Sequence, residues 1–125
     1  LELCDGFANM DFERVTQMLS QAKWSLGIGM DEVKQGARNS ALVVGAFLEN
    51  IQVGYARVIS DRTKFAYISD VYVDDPFRHN GIAKQMLTYI LSHETLRDVY
   101  QWVLGFVPVS EPERWMEIRN QRPER

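Results

Sequence analysis

The sequence has few of the residues that build disulfide and metal sites. It contains one cysteine, Cys4, and two histidines among 125 residues. One cysteine excludes an intrachain disulfide, and so few Cys and His residues offer no convincing metal cluster. We therefore expect no metal cofactor. The low cysteine content and the absence of a visible signal peptide predict a location in the reducing cytoplasm.

Long apolar runs and a basic excess are also missing. No apolar run approaches the roughly 18 residues of a membrane span, so no membrane partner is expected. The net charge is −3, and the Lys and Arg residues are scattered. This balance argues against a nucleic-acid-binding surface. The chain is 46% hydrophobic and 25% charged, which suits one core and a single domain over residues 1–125. Assembly as a homodimer stays open.

Hydrophobic periodicity predicts two helices followed by three strands. Asp11 can cap the first helix, whose apolar positions recur near the 3.6-residue period. A second helix is predicted from about Asp31 to Arg38. The strands are expected over Ala41–Leu48, Val53–Ser60 and Phe65–Val73. Short polar links between these strands indicate an antiparallel meander.

After the third strand, the sequence predicts a helix and a further strand, which complete a βαβ unit. An amphipathic helix after Gly81 leads to a strand over Val99–Leu104. Because a helix separates it from the third strand, the two strands should be parallel. A last edge strand is expected from Phe106–Val109 and Trp115–Ile118, followed by a frayed end. The predicted fold class is α+β, with a mixed, mostly antiparallel central sheet, helices on both faces and a βαβ unit.

The joint between the third strand and the following helix is a candidate anion site. Its loop passes through a single glycine, Gly81, directly into the helix. Amides at a helix start lack intrahelical partners and lie at the positive end of the helix dipole, as in many phosphate sites. Gly81 allows close backbone approach, and Arg78 can add a charge-assisted contact. The alternative is a tight turn with a solvated Arg78 and His79.

This joint resembles the acetyl-CoA loop of the GNAT superfamily of N-acetyltransferases. Residues 78–83 form a hexapeptide of the pattern Arg-x-x-Gly-x-Ala. The segment before it, Asp70–Pro76, resembles the segment that usually precedes this loop in the family. The order of elements from Phe12 to Phe106 matches as well. The resemblance implies that acetyl-CoA is the co-substrate and that its pyrophosphate lies on the hexapeptide. The hexapeptide comprises Arg78, His79, Asn80, Gly81, Ile82 and Ala83.

The resemblance also implies a slot for pantetheine and a direct reaction. The third strand and Val99–Leu104 should diverge, so that backbone groups near Val71 and Val73 bond the pantetheine amides. The acetyl group would pass directly to an amine of a small molecule or peptide. A non-catalytic acyl-CoA-binding or regulatory module with the same fold is the alternative function.

Three residues are candidates for the acceptor side of such a site. The family takes its base from the central strand, where Asp70 is the only carboxylate; alternatively, Asp70 pairs with Arg57 to hold the sheet. Arg57 lies in an otherwise apolar strand, which is unusual for a charge. It can bind an acceptor carboxylate or lie on an exposed face. Trp24 follows the first helix, where the family's acceptor loop lies, and can line the pocket or pack in the core.

The sequence departs from the family after Leu104. Relatives place a further helix there, which carries a Tyr suggested as the general acid. Here Gly105 follows Leu104 at once, although even a tight hairpin needs about two turn residues. We therefore expect that these two residues are not neighbours in the full gene product. The general acid is left unassigned.

Overall fold

A sheet of five strands, in sequence order, forms the centre of the computed structural model, which describes residues 1–105. The strands are β1 Glu2–Asp5, β2 Leu42–Leu48, β3 Ile51–Ser60, β4 Phe65–Val73 and β5 Gln101–Leu104. The helices are α1 Phe12–Leu19, α2 Met30–Arg38 and α3 Ile82–Leu91. The edge strand predicted over Phe106–Val109 and Trp115–Ile118, with the frayed end, lies outside the described residues.

The strand directions confirm the α+β prediction. Strands β1 to β4 pair antiparallel, and β4 pairs parallel with β5 across the α3 crossover. Phe65 lies opposite Gln101, and Ile68 lies opposite Leu104. The edge strand β1 was not predicted. It pairs with β2, and Asp5 lies opposite Val44.

Local sequence signals set the ends of several elements. The Asp11 side chain caps α1 by accepting from the Arg14 amide at 3.2 Å. Glu49 and Asn50 join β2 to β3, both with positive φ, 49° and 67°. Two such residues form the tight hairpin turn whose twist matches that of the strands. Gly81, with φ of 78°, precedes α3.

The helices pack on both faces of the sheet, as predicted. One buried cluster joins α3 to the face that carries Val44, Val58 and Ile68. The other cluster joins α1 and α2 to the opposite face, which carries Val43, Tyr55 and Tyr72. The sheet therefore separates the α3 side from the α1/α2 side.

A bulge in β4 changes which side chains face each helix layer. Tyr55 pairs with Tyr72 and Arg57 with Ser69, so β4 has one more residue than β3 between these pairs. Asp70 lies there with φ of 56°. Because of the extra residue, Val71 and Val73 join Ile68 on the α3 side, and Tyr72 turns to the α1/α2 side. The bulge lies beside the predicted pantetheine slot.

The chain after β5 continues along β4 for one more residue. The Gly105 amide donates to the Ile68 carbonyl at 2.8 Å. A Cβ at Gly105 would lie 2.1 Å from the end of the Tyr67 ring, so any larger residue would require that ring to move. This continuation gives no support to the extra segment expected after Leu104, which stays a prediction. The predicted divergence of β4 and β5 also stays a prediction, because any further path of β5 lies outside residues 1–105.

Candidate functional site

The loop before α3 presents a run of unused amides. The Arg78 amide is not available, since it donates to the Asp75 carbonyl at 3.2 Å. By contrast, the amides of residues 79–83 find no acceptor among residues 1–105. His79 and Gly81 both have positive φ, 67° and 78°. Five free amides at the positive end of α3 can bind an anion.

The Arg78 side chain holds this loop against the end of β4. Its Nε donates to the Val73 carbonyl at 2.8 Å, and its guanidinium lies 4.9 Å from the centre of the Tyr72 ring. Nη1 is 3.3 Å from the Asp75 carboxylate. The Val73 carbonyl therefore already accepts one hydrogen bond, and a carbonyl oxygen can accept a second, so its predicted contact with pantetheine stays a prediction. The rest of the β4 edge over residues 69–73 has no β5 partner among the described residues.

The start of the loop is tied to α1 and β3. Arg14 Nη2 lies 2.9 Å from an oxygen of Asp74, and Arg14 Nε donates to the Gln52 carbonyl at 3.1 Å. The Asp74 amide donates to Val53. The Gln52 side chain is fully buried and accepts from the Asp11 amide at 2.8 Å. Sequence analysis missed these contacts, although a glutamine inside an apolar strand was a usable signal.

The three predicted acceptor-side residues meet at the β4 bulge. Arg57 Nε donates to Asp70 Oδ2 at 2.7 Å, and Trp24 Nε1 donates to Asp70 Oδ1 at 3.1 Å. Arg57 Nη1 also reaches the Gly36 carbonyl at 3.4 Å and Ser40 Oγ at 3.3 Å. This Arg57–Asp70 ion pair is the arrangement that the sequence suggested as the alternative to a role of Asp70 as the base. A carboxylate has about four acceptor sites, so Asp70 can still accept from a ligand.

A cavity of about 290 Å³ opens beside this cluster, under α2. Buried Leu19, Val33 and Tyr55 contribute to its apolar part. Its polar lining comprises Glu32, Gln35, Asn39, Arg57 and Asp70. The volume is close to the lower end of the range for small-molecule sites.

Tyr55 was missed by the sequence analysis. Its side chain is fully buried, and its hydroxyl finds no hydrogen-bond partner among the described residues. Burial raises the pKa of the phenol well above its ordinary value; Arg57 opposes the rise and Asp70 adds to it. The hydroxyl therefore stays protonated at neutral pH and can donate.

The two histidines lie away from the cavity. His79 is exposed in the loop. His93 lies 3.1 Å from Asp5 Oδ2 and accepts from the Thr95 amide, at the far end of α3. Within residues 1–105, no group of three or more Cys, His, Asp or Glu residues could hold a metal ion. No helix in that range is long and apolar enough to cross a bilayer.

Known proteins share this sequence pattern and fold. Residues 12–104 match the sequence profile of the acetyltransferase (GNAT) family. No curated protein matches the chain. A solved protein from Xanthomonas campestris, assigned to the GNAT family, is 26% identical with a TM-score of 0.79; the match covers 94% of this chain and 84% of that one.

Two further solved structures share the fold at lower identity. An aminoglycoside 6'-N-acetyltransferase complexed with coenzyme A is 17% identical with a TM-score of 0.71; the match covers 84% of this chain and 61% of that one. A ribosomal-protein-alanine N-acetyltransferase from Brucella melitensis is 19% identical with a TM-score of 0.65, covering 92% and 86%. Each likeness concerns the fold.

Proposed function

Since this chain belongs to the acetyltransferase (GNAT) family, we propose that it moves an acetyl group from acetyl-CoA directly to a primary amine of a small molecule or peptide. One observation carries the proposal. The free amides of residues 79–83, the open β4 edge and the Asp70 cavity follow one another along the same strand and loop. They offer places for a pyrophosphate, an extended chain and an acceptor in the order that acetyl transfer requires.

Acetyl-CoA would lie along the loop and the end of β4. The amides of His79, Asn80, Gly81, Ile82 and Ala83 would hold the pyrophosphate, and the free N–H groups of Arg78 would add charge. Backbone groups of Val71 and Val73 would bond pantetheine. A structure that shares this fold contains coenzyme A, which supports the co-substrate.

The acceptor amine would enter the cavity beside Asp70. In this step Asp70 takes a proton from the ammonium, directly or through water, and the neutral nitrogen attacks the thioester carbon. The new C–N bond forms as the C–S bond breaks; the nitrogen loses its second proton, and the CoA thiolate leaves and takes up a proton. Arg57 and Trp24 would hold the Asp70 carboxylate and contact the acceptor. No residue is assigned as the general acid.

This arrangement supports an amine as the acceptor, without favouring one particular amine. The aminoglycoside and ribosomal-protein enzymes with the same fold have very different acceptors by name. We propose that the reaction takes place in the cytoplasm, where acetyl-CoA is available and Cys4 stays reduced.

The experiment is a thiol-release assay on the full-length protein. Acetyl-CoA is mixed with amines, amino acids or peptides, and free CoA thiol is measured with and without acceptor. The proposal predicts amine-dependent release. Tight acetyl-CoA binding without release for any acceptor would instead support the non-catalytic module. Absence of acetyl-CoA binding would contradict both functions.

A further inference from the structure

The Tyr55 hydroxyl identifies a second feature of the acceptor. We propose that it donates a hydrogen bond to a neutral oxygen of the acceptor, a hydroxyl or carbonyl, so that the cavity selects amines carrying such an oxygen. This inference rests on the proposed function and specifies its substrate class. It assigns Tyr55 as a specificity-determining residue.

The first support is the cost of leaving this hydroxyl without a partner. The Tyr55 side chain has no exposed surface, and it packs in the α1/α2 cluster among apolar residues. A phenylalanine would fill the same space without burying a polar group. A buried hydroxyl without a partner lowers stability. Retaining it therefore calls for a compensating contact, and a ligand in the cavity can provide one.

The second support is the surroundings of the hydroxyl. Tyr55 lines the cavity together with Arg57 and Asp70, and both charges act on its phenol. The cavity is far larger than one water molecule requires. Tyr55 and Asp70 both belong to the lining of the cavity. Because the Tyr55 hydroxyl has less than 1 Å² of accessible surface, a shift of this lining must accompany ligand binding. The nitrogen of the ligand would then lie at Asp70, next to the β4 edge, and its oxygen at Tyr55.

The charges of the cavity favour a neutral oxygen over a carboxylate. Its lining has one cation, Arg57, and two carboxylates, Glu32 and Asp70. Arg57 is already paired with Asp70 at 2.7 Å. The net negative charge attracts a protonated amine, whereas a further carboxylate would add repulsion. A protonated phenol complements an oxygen that accepts.

The test compares matched amines of equal ring size. Cyclohexylamine and the positional isomers of aminocyclohexanol differ by one hydroxyl group. Calorimetry in the presence of CoA measures their binding to the wild type, to Tyr55→Phe and to the control Tyr89→Phe. Tyr89 lies on the α3 side, where it bonds Asp5. Thiol release with acetyl-CoA and the melting temperature without ligand are recorded for the same proteins.

The expected result is a hydroxyl-dependent preference that only Tyr55→Phe removes. At least one isomer should bind the wild type and Tyr89→Phe about tenfold more tightly than cyclohexylamine, as one buried hydrogen bond allows. In Tyr55→Phe the two affinities should be equal, with cyclohexylamine binding unchanged. The melting temperature without ligand should be unchanged or higher, because the substitution removes a buried hydroxyl that has no partner among residues 1–105.

Several results would overturn the inference. They are a wild type that binds no isomer better than cyclohexylamine, a preference that persists in Tyr55→Phe, or an equal loss for both amines with a lower melting temperature. The last result would show a structural role. The wild-type comparison alone can refute the inference if the variant fails to fold.

The two proposals fail in different ways. In one outcome, Tyr55→Phe removes the hydroxyl-dependent binding, but no amine causes thiol release. This outcome would support the inference about the cavity and contradict acetyl transfer. Amine-dependent thiol release with no difference between Tyr55→Phe and the wild type would keep acetyl transfer and overturn the role of Tyr55.

Discussion

Arg57 Nε and Asp70 Oδ2 lie 2.7 Å apart, at the one place where β4 carries an extra residue. Asp70 has a positive φ of 56° there, a conformation that is uncommon outside glycine but tolerated by Asp and Asn. Such backbone strain costs on the order of 1 kcal/mol or more and persists only where the surroundings hold it. The pair fixes the carboxylate in the lining of the cavity.

Replacing Asp70 by Asn tests its role as the base. Asn keeps the shape and accepts positive φ, but it has no charge and cannot take the proton. We expect turnover to fall by about a hundredfold, with acetyl-CoA affinity nearly unchanged. Steady-state kinetics with an identified acceptor and calorimetry with acetyl-CoA measure the two effects. Asp5→Asn, which changes a carboxylate on the α3 side, is the control. Unchanged turnover with a lower melting temperature would show that Asp70 only holds the sheet.

The sequence predicted the elements well because its signals were local. The Asp11 cap, the Glu49–Asn50 turn and the strand–Gly81–helix joint each depend on neighbouring residues. Helix and strand limits therefore agreed within one or two residues for most elements. The short strand β1 was missed, since four residues carry little periodicity.

The bulge and the cavity depend on partners far along the chain. Apolar alternation over Ala66 and Ile68 resumes out of step at Val71 and Val73, which is a visible sign of an extra residue. That sign does not place Trp24, 46 residues away from Asp70. That the Tyr55 hydroxyl has no partner among residues 1–105 is likewise a property of packing, because the residue alone looks like an ordinary aromatic residue in a strand.

A pair of substitutions at Gly81 tests the anion loop. Both Asp and Asn would meet open space there and bear the same positive φ, so the two variants should have similar stability. Only Asp adds a negative charge beside the free amides. We expect Gly81→Asp to weaken acetyl-CoA binding by at least about tenfold relative to Gly81→Asn. Gly27→Asp, at another open glycine with positive φ, controls for backbone strain. Equal affinities for the two Gly81 variants would remove the loop from the site.

Acid should weaken the β3–β4 turn through Asp61. The amides of Lys64, Phe65 and Thr63 lower the pKa of Asp61 from 3.8 to about 2. Because the pKa is lower in the folded protein, the stabilisation is complete above about pH 4 and is lost as the pH falls toward 2. The melting temperature of the wild type should exceed that of Asp61→Asn at neutral pH, and the gap should close over this range. A gap that stays constant down to pH 2 would contradict the assignment.

The expected segment between Leu104 and Gly105 has a direct test. A helix at this place would carry the unassigned general acid. Peptide mapping by mass spectrometry of the protein isolated from its natural source should find additional residues between the two positions. A peptide that joins Leu104 directly to Gly105 would contradict this expectation and favour the non-catalytic module.

The central claim is that the amides of residues 79–83 bind acetyl-CoA at the start of α3. Amide NMR spectra of isotope-labelled protein, recorded during titration with acetyl-CoA, test it residue by residue. We expect the largest shift changes at residues 79–83, followed by Val71 and Val73, and small changes at the β1 edge. Saturating acetyl-CoA that leaves the amides of residues 79–83 unshifted would contradict the account.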